Sequence, residues 1–369
     1  MSSAAQVPDP AQMQRARTAI AQARAAFPLW AATDPRARRK GLLALADALR
    51  ADAPRFQTLA APEAGAETAA DLRRAVEILE AAAGACTLPE GSIAPMDAAG
   101  RIQMQLVQPR GVCLGIVPAV APISHTVRAF AFAIALGNTV VILPFEGSRD
   151  VHGLIGQCVE RTGLPPGVVG VVPAAPGEGT QLAAALIAAT PVRHVSFAGP
   201  QPAARLVGRL AGENLKPMLL ELQGRSVLIV LDDADLEATA DAVLAAPDAA
   251  LGPVIVQAAV AEALAANIAA RGGDAGALWL LKVPGDGAAL AAALDGAPAP
   301  GCAIFSRDLG RALWLAEGVG AANCTINRLP LPDGGPAASD GRFCGASGLA
   351  EFTERRRIGI DAPLWPHQP

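Results

Sequence analysis

The chain has 369 residues, a formal net charge of −4, 52% hydrophobic residues and only 17% charged ones. That length allows two or more domains with separate cores. The acidic balance excludes a basic field able to hold nucleic acid or an anionic membrane surface.

Residues 11–86 read as helices. "AQMQRARTAIAQARAAFPLWAAT" carries apolar residues at helical spacing, and Thr33-Asp34-Pro35 then supplies a cap and a first-turn proline for "RARRKGLLALADALRADAP". A third helix, "ETAADLRRAVEILEAAAGAC", follows the break at 62–65. Residues 92–109, "SIAPMDAAGRIQMQLVQP", predict a hairpin with Ile102, Met104 and Leu106 on one face of its second arm. From 111 onward, short Val/Ile/Leu strands alternate with helices: "GVCLGIVPAV", "SHTVRAFAFAIALGN", "TVVILPF", "DVHGLIGQCVERTGLPPG", "VVGVVP", "EGTQLAAALIAAT", "RHVSFAG", "PAARLVGRLAGENL" and "KPMLLELQG". Buried strands alternating with helices predict a doubly wound parallel sheet of the Rossmann-like kind. The remainder mixes strands and helices, with 330–348 loop-like and "RRRIGIDAP" as a last edge strand.

Pro247, Asp248, Pro253 and Glu262 interrupt the most apolar run, and the start "MSSAAQVPDP" lacks a basic segment followed by an apolar one. These features predict a soluble, cytoplasmic chain with no membrane span. The six cysteines show no CxxC pair, and neither they nor the four histidines cluster at metal-ligand spacing, so no metal site is expected. Cys302 and Cys324 fall in strands, Cys86 and Cys158 on helices, and Cys113 just before the first sheet strand, which leaves Cys344 in "RFCGASG" as the most exposed.

A parallel sheet offers a phosphate-binding crevice where helices start at the strand ends. Gly177-Glu178-Gly179 has Leu182 where a third glycine would belong and sets a carboxylate beside the would-be pyrophosphate. Gly199 in "SFAGPQPAARLVG" is the better turn, but Pro200 removes a backbone donor there. One acid, Glu221, stands inside the apolar strand "MLLELQG", where an unpaired carboxylate is costly to ionise.

In the segments "IAQARAAFPLWAATDPRARRKGLLALADAL", "QPRGVCLGIVPAVAPISHTVRAFAFAIALGNTVVILPFE", "GLPPGVVGVVP", "RHVSFAGP", "NLKPMLLELQGRSVLIVLDDADLE" and "AIFSRDLGRAL", the chain resembles the aldehyde dehydrogenase superfamily in family order over nearly its whole length. The resemblance implies an α/β aldehyde dehydrogenase-like fold: N-terminal helices (1–91), an oligomerisation hairpin (92–109), a Rossmann-like domain (110–222), a truncated catalytic-type domain (223–348) and a C-terminal tail with an edge strand (349–369). It also implies NAD or NADP as cofactor, with Glu146, Gly199, Pro200 and Gly224 at the matching positions, and Glu221 as the matching general base.

The departures are as informative. The family's oxyanion asparagine falls on Val120 or Ala121, its ribose-binding lysine on Leu143, and its nucleophilic cysteine near Asp248 in "LAAPDAALGPVIVQ", which has no cysteine, serine or threonine. The Glu-Glu-x-Phe-Gly-Pro segment near the nicotinamide ribose has no counterpart, and the shortening falls between about 248 and 278. Cys344 is the one stand-in nucleophile the sequence offers, and His125 could face the former active site. Glu221 reads as a remnant base kept because it hydrogen-bonds backbone or an arginine. The leading expectation is a non-catalytic, pseudoenzyme member. It would act in a homo-oligomer, or in a hetero-oligomer with a full-length aldehyde dehydrogenase, and resembles the cysteine-less second domain of aldehyde dehydrogenase family 16. The alternatives are an NAD(P)-dependent oxidoreductase with atypical residues and a nucleotide-binding sensor.

Overall fold

The computed structural model describes residues 9–59, 65–94, 102–144, 147–223, 226–246, 251–274, 276, 278–295, 301–321, 323–329 and 345–360. They divide into two compact units, Met1–Glu221 with Gly341–Pro369, and Leu222–Asp340.

The larger unit opens with helices α1 (Pro10–Ala31), α2 (Pro35–Ala51), α3 (Ala53–Leu59) and α4 (Gly65–Ala85). Asp34 caps α2 by accepting from the Arg36 N–H at 2.6 Å, with Pro35 in the first turn. The strands β1 (Ser92–Ala94) and β2 (Ile102–Pro109) pair antiparallel, and β2 sits at the centre of a three-stranded sheet ordered β1-β2-β13, where β13 is Thr353–Ile360. Leu106 on β2 is exposed, so the alternating face read from the sequence is not a core face throughout.

A five-stranded sheet follows, in the order β5-β4-β3-β6-β7: β3 (Val112–Val117), β4 (Thr139–Pro144), β5 (Val169–Val171), β6 (Val192–Pro200) and β7 (Met218–Gln223). The helices between these strands are α5 (Pro122–Ala135), α6 (Arg149–Arg161), α7 (Gly179–Ala188) and α8 (Gln201–Glu213). The β3–β4, β4–β5 and β3–β6 pairs are parallel. Every residue of β3 and β4 is buried, which explains their unbroken apolar character. Gly137 ends α5 at φ +90, a conformation glycine adopts without strain. The next residue, Asn138, ties elements together: its Oδ1 accepts the Gly111 N–H at 3.0 Å, and its Nδ2 donates to the carbonyls of Ala133 and Phe352, each at 2.9 Å. Leu42, Leu45, Leu79 and Phe130 are fully buried among α2, α4 and α5. Burying a ring such as Phe130 contributes roughly 2–3 kcal/mol.

The smaller unit holds a second parallel sheet ordered β10-β9-β8-β11-β12, with β8 (Ser226–Val230), β9 (Leu251–Gln257), β10 (Leu280–Val283), β11 (Gly301–Phe305) and β12 (Asn323–Ile326). Its helices are α9 (Leu236–Ala245), α10 (Ala258–Ala270), α11 (Asp286–Leu294) and α12 (Leu309–Gly318). Helix α11 went unread in the sequence because "DGAALAAAL" has no side-chain cap and almost no polar face. Gly345–Glu351 forms a short helix, α13, in the larger unit, so 345–348 is helical where the sequence suggested loop. Cys113 lies inside β3 and is fully buried, rather than preceding the strand. No helix among the described residues is long and apolar enough to cross a membrane.

Candidate functional site

In the larger unit the strand order reverses between β3 and β6, and the residues following their carboxyl ends define the crevice where such sheets bind ligands. On the β3 side the chain runs through Val120 to Ala121, which adopts a left-handed conformation (φ +44) as the N-cap of α5 and offers no side-chain cap. The cap comes from elsewhere. Asp71 on α4 is buried, and its two carboxylate oxygens accept the N–H groups of Ile123 and Ser124 at 2.9 and 3.0 Å. The chain's own carboxylate thus fills the anion position at this helix start. The Val120 side chain is largely exposed and has no donor to offer an oxyanion.

One turn along α5, His125 Nδ1 faces the Ala121 carbonyl at 3.0 Å. Burial, and then the nearby Arg128 charge, push the His125 pKa down, so the imidazole is neutral at ordinary pH. Arg128, one turn further, donates from Nη2 to Oε1 of Glu221 in an ion pair. Both side chains are mostly buried, at 12% and 24% exposure. Glu221 therefore has the arginine partner that its strand position required. Its Oε2 has no hydrogen-bond partner among the described residues. Sequence reasoning missed both Arg128 and Asp71. The available signal was a single cation within the otherwise apolar "AFAFAIA" helix.

On the β6 side, Gly199 has φ +156, and a Cβ there would meet the Phe197 ring at 2.8 Å, so only glycine fits this turn. Pro200 is the N-cap of α8 and Pro202 lies in its first turn. Two of the N–H groups that a helix start normally turns toward a phosphate are thus absent. Leu143 is buried within β4. Glu178, at the start of α7, accepts the Asp9 N–H at 3.0 Å and ties α1 to this end of the sheet. With an apolar Leu143, a donor-poor α8 and the Asp71 carboxylate already seated on the start of α5, these residues do not fit a dinucleotide well. Glu146, Gly224, Cys344 and the region around Asp248 lie outside the described residues.

The five described cysteines are free thiols. Burial pushes the pKa of Cys86 up to about 11, Cys113 to about 12, Cys158 to about 11 and Cys302 to about 12, and it raises Cys324 as well. Cys302 and Cys324 face each other across β11 and β12. None of these five is poised as a thiolate near neutral pH.

In the smaller unit, the carboxyl ends of the strands gather charges. Arg311, in the first turn of α12, donates to Asp286 at 2.7 and 2.9 Å and to Asp232 at 2.9 Å, and lies 3.5 Å from Asp233. Asp233 accepts the Ser306 hydroxyl at 2.9 Å and the Asp308 N–H at 2.8 Å. Gln257 donates to Asp286 at 2.6 Å. The segments "DDADLE" and "FSRDLGRAL" are thereby joined into one clasp.

The fold is thus a two-unit α/β architecture of parallel sheets with helix starts at the strand ends. A sequence model described as the aldehyde dehydrogenase family matches residues 2–263, and the chain belongs to that family. It is 35% identical to a vanillin dehydrogenase of Pseudomonas fluorescens, with 95% of this chain and 90% of that protein covered. That alignment spans 441 positions, more than the 369 residues here, so the relative carries segments that this shortened chain lacks. Identity to a vanillin dehydrogenase of Pseudomonas sp. HR199 is 33%, again over 95% of this chain and 90% of that protein. Among solved structures, a salicylaldehyde dehydrogenase from Pseudomonas putida G7 superposes with a TM-score of 0.86 at 25% identity, covering 97% of this chain and 92% of that one.

Proposed function

We propose that this chain is a non-catalytic member of the aldehyde dehydrogenase family, with Glu221 as a remnant base held by Arg128. The observation that carries the reading is the burial of the described thiols, complete for Cys86, Cys113, Cys158 and Cys302 and partial for Cys324. Family chemistry needs a thiolate nucleophile, and burial holds every described cysteine well above neutral pKa. The segment matching the nucleophile loop contains no substitute. Val120 gives no oxyanion donor, and the crevice residues suit NAD or NADP poorly. The test is an assay of the purified chain with vanillin or salicylaldehyde and either dinucleotide at millimolar concentration. NAD(P)H formation above the protein-free rate overturns the reading.

The role left to such a chain is assembly, in a homo-oligomer or with a full-length aldehyde dehydrogenase. Support comes from β1, whose three residues are all exposed at the edge of the three-stranded sheet, where a further strand can add. Native mass spectrometry of the chain isolated from its host tests this, and a monomer without partner rejects it.

The identity to vanillin dehydrogenases favours a second reading, an NAD(P)-dependent oxidoreductase of aromatic aldehydes. Cys344 would then be the nucleophile, Glu221 the base, and Glu146, Gly199 and Gly224 would lie along the cofactor. In that case Cys344→Ser abolishes turnover.

A further inference from the structure

At the amino ends of β3 and β6, the end of the sheet opposite to the crevice, the larger unit carries a cleft of about 250 Å³. Three of the residues lining it are arginines: Arg24 on α1, Arg110 just before β3 and Arg193 on β6. Among the described residues, none of the three forms an ion pair with a carboxylate. Arg110 is fixed by backbone, with Nε donating to the Glu351 carbonyl at 2.5 Å and Nη2 to the Ala350 carbonyl at 3.3 Å. The Glu351 carboxylate itself lies 3.8 Å from His194 Nε2. Arg193 lies close over Gly111, where a Cβ would meet its side chain at 3.0 Å. Lys216 adds a fourth cation. Its ammonium donates to the Val192 and Ala189 carbonyls at 2.7 and 3.2 Å, and burial and the Arg193 charge lower its pKa. Among the described residues, positive charge therefore accumulates at this end of the sheet with no carboxylate paired to Arg24, Arg110 or Arg193, in a chain whose net charge is −4.

The rest of the lining is apolar: Phe27 forms one wall, with Pro191 and Val112 beside it. Among the described residues, no hydroxyl side chain lines the cleft. A bare oxyanion such as phosphate would leave most of this space empty and would find none of the hydroxyl donors that usually complete its shell. A cavity of roughly 150 Å³ accepts a benzene ring, so this one has room for a ring plus an anionic group. Guanidinium forks match a carboxylate in two parallel hydrogen bonds, and an aromatic wall matches a flat apolar body.

We propose that this cleft binds a small aromatic carboxylate, with its oxygens held by Arg24 and Arg193 and its ring against Phe27. The proposal is independent of whether the chain has dehydrogenase activity, because the cleft and the crevice occupy opposite ends of the same sheet.

The test is isothermal titration of the full chain with benzoate at low ionic strength, with acetate, benzyl alcohol and inorganic phosphate as comparisons. One equivalent of benzoate is expected to bind with a Kd of about 1 mM or tighter. Benzyl alcohol and acetate should each bind at least about tenfold more weakly, since each lacks one of the two recognition elements. Arg24→Gln and Arg193→Gln change exposed side chains, and each should weaken benzoate binding about tenfold. Phe27→Leu should erase the preference for benzoate over acetate. Absence of benzoate binding at about 10 mM overturns the proposal. Phosphate binding as tightly as benzoate, or unchanged affinity in the Arg24→Gln/Arg193→Gln double variant, does the same.

Discussion

The two parallel sheets end differently at their carboxyl edges. In the smaller unit, Arg311, Asp232, Asp233, Asp286, Gln257, Ser306 and the Asp308 backbone form a clasp in which each group meets a partner. In the larger unit, Oε2 of Glu221, Nε2 of His152 and Oε2 of Glu178 are buried without a hydrogen bond. None of the buried side-chain atoms lacking such a bond, among the described residues, belongs to the smaller unit. A buried polar atom without a partner costs about 1–3 kcal/mol. The larger unit thus keeps polarity at this end that its own packing does not use. The clasp shows that the same kind of strand end can instead be closed by its own side chains.

The largest effect should come from the cap on α5. Asp71→Ala leaves the Ile123 and Ser124 N–H groups unpaired in a buried setting, at a cost of about 3 kcal/mol. Hydrogen exchange read by mass spectrometry should place the lost protection in α5 and its neighbours and leave β8 and β11 unchanged. Arg311→Ala should show the reverse pattern. It leaves Asp232, Asp233 and Asp286 facing one another, but Arg311 is 30% exposed, so solvent screening limits the loss to about 2 kcal/mol. If either substitution destabilises both sheets equally, the units are not separable in energy and the contrast fails.

Acid should separate the units further. His152 is fully buried, and burial pushes its pKa down, as it does for His125. A histidine whose folded pKa is lowered binds its proton more readily when unfolded. Its contribution to stability is present above the unfolded value near 6.5 and is lost as pH falls toward the lowered folded value. In the clasp, the Arg311 hydrogen bond holds Asp286 below the usual carboxylate range. Burial alone would raise Asp233, yet bonds from Ser306 and Asp308 hold it low as well. Those contributions persist down to about pH 4 and fade below it. Protection of the larger unit should therefore begin to fall below about pH 6.5, and that of the smaller unit only below about pH 4. Simultaneous loss in both would refute the assignment.

These differences also mark what the sequence could reveal. The strand–helix alternation, the Asp34-Pro35 cap and the Gly137-Asn138 stop were legible because local chemistry decides them. The clasp was not: "DDADLE" and "FSRDLGRAL" lie more than 60 residues apart, and only the β8–β11 pairing brings them together. The Asp71 cap was hidden for the same reason, since its partners lie 52 and 53 residues away on another helix. Glu221 could be singled out as an anomaly in an apolar strand, but its partner Arg128 could be found only from the approach of α5 to β7.

That pair gives the smallest and most discriminating effect. Glu221→Gln keeps the shape and an acceptor oxygen but removes the charge facing Arg128. The two side chains are largely but not fully buried, so the loss should be about 1 kcal/mol. In a double-mutant cycle with Arg128→Met, the coupling energy should account for most of that loss, because the double variant removes both charges at once. A coupling near zero would mean that Glu221 is held by something other than Arg128. The same variant decides between remnant and working base. A structural carboxylate changes melting temperature alone, whereas a general base would lower kcat for an aldehyde while leaving stability almost unchanged. The Arg128 ion pair predicts the first outcome.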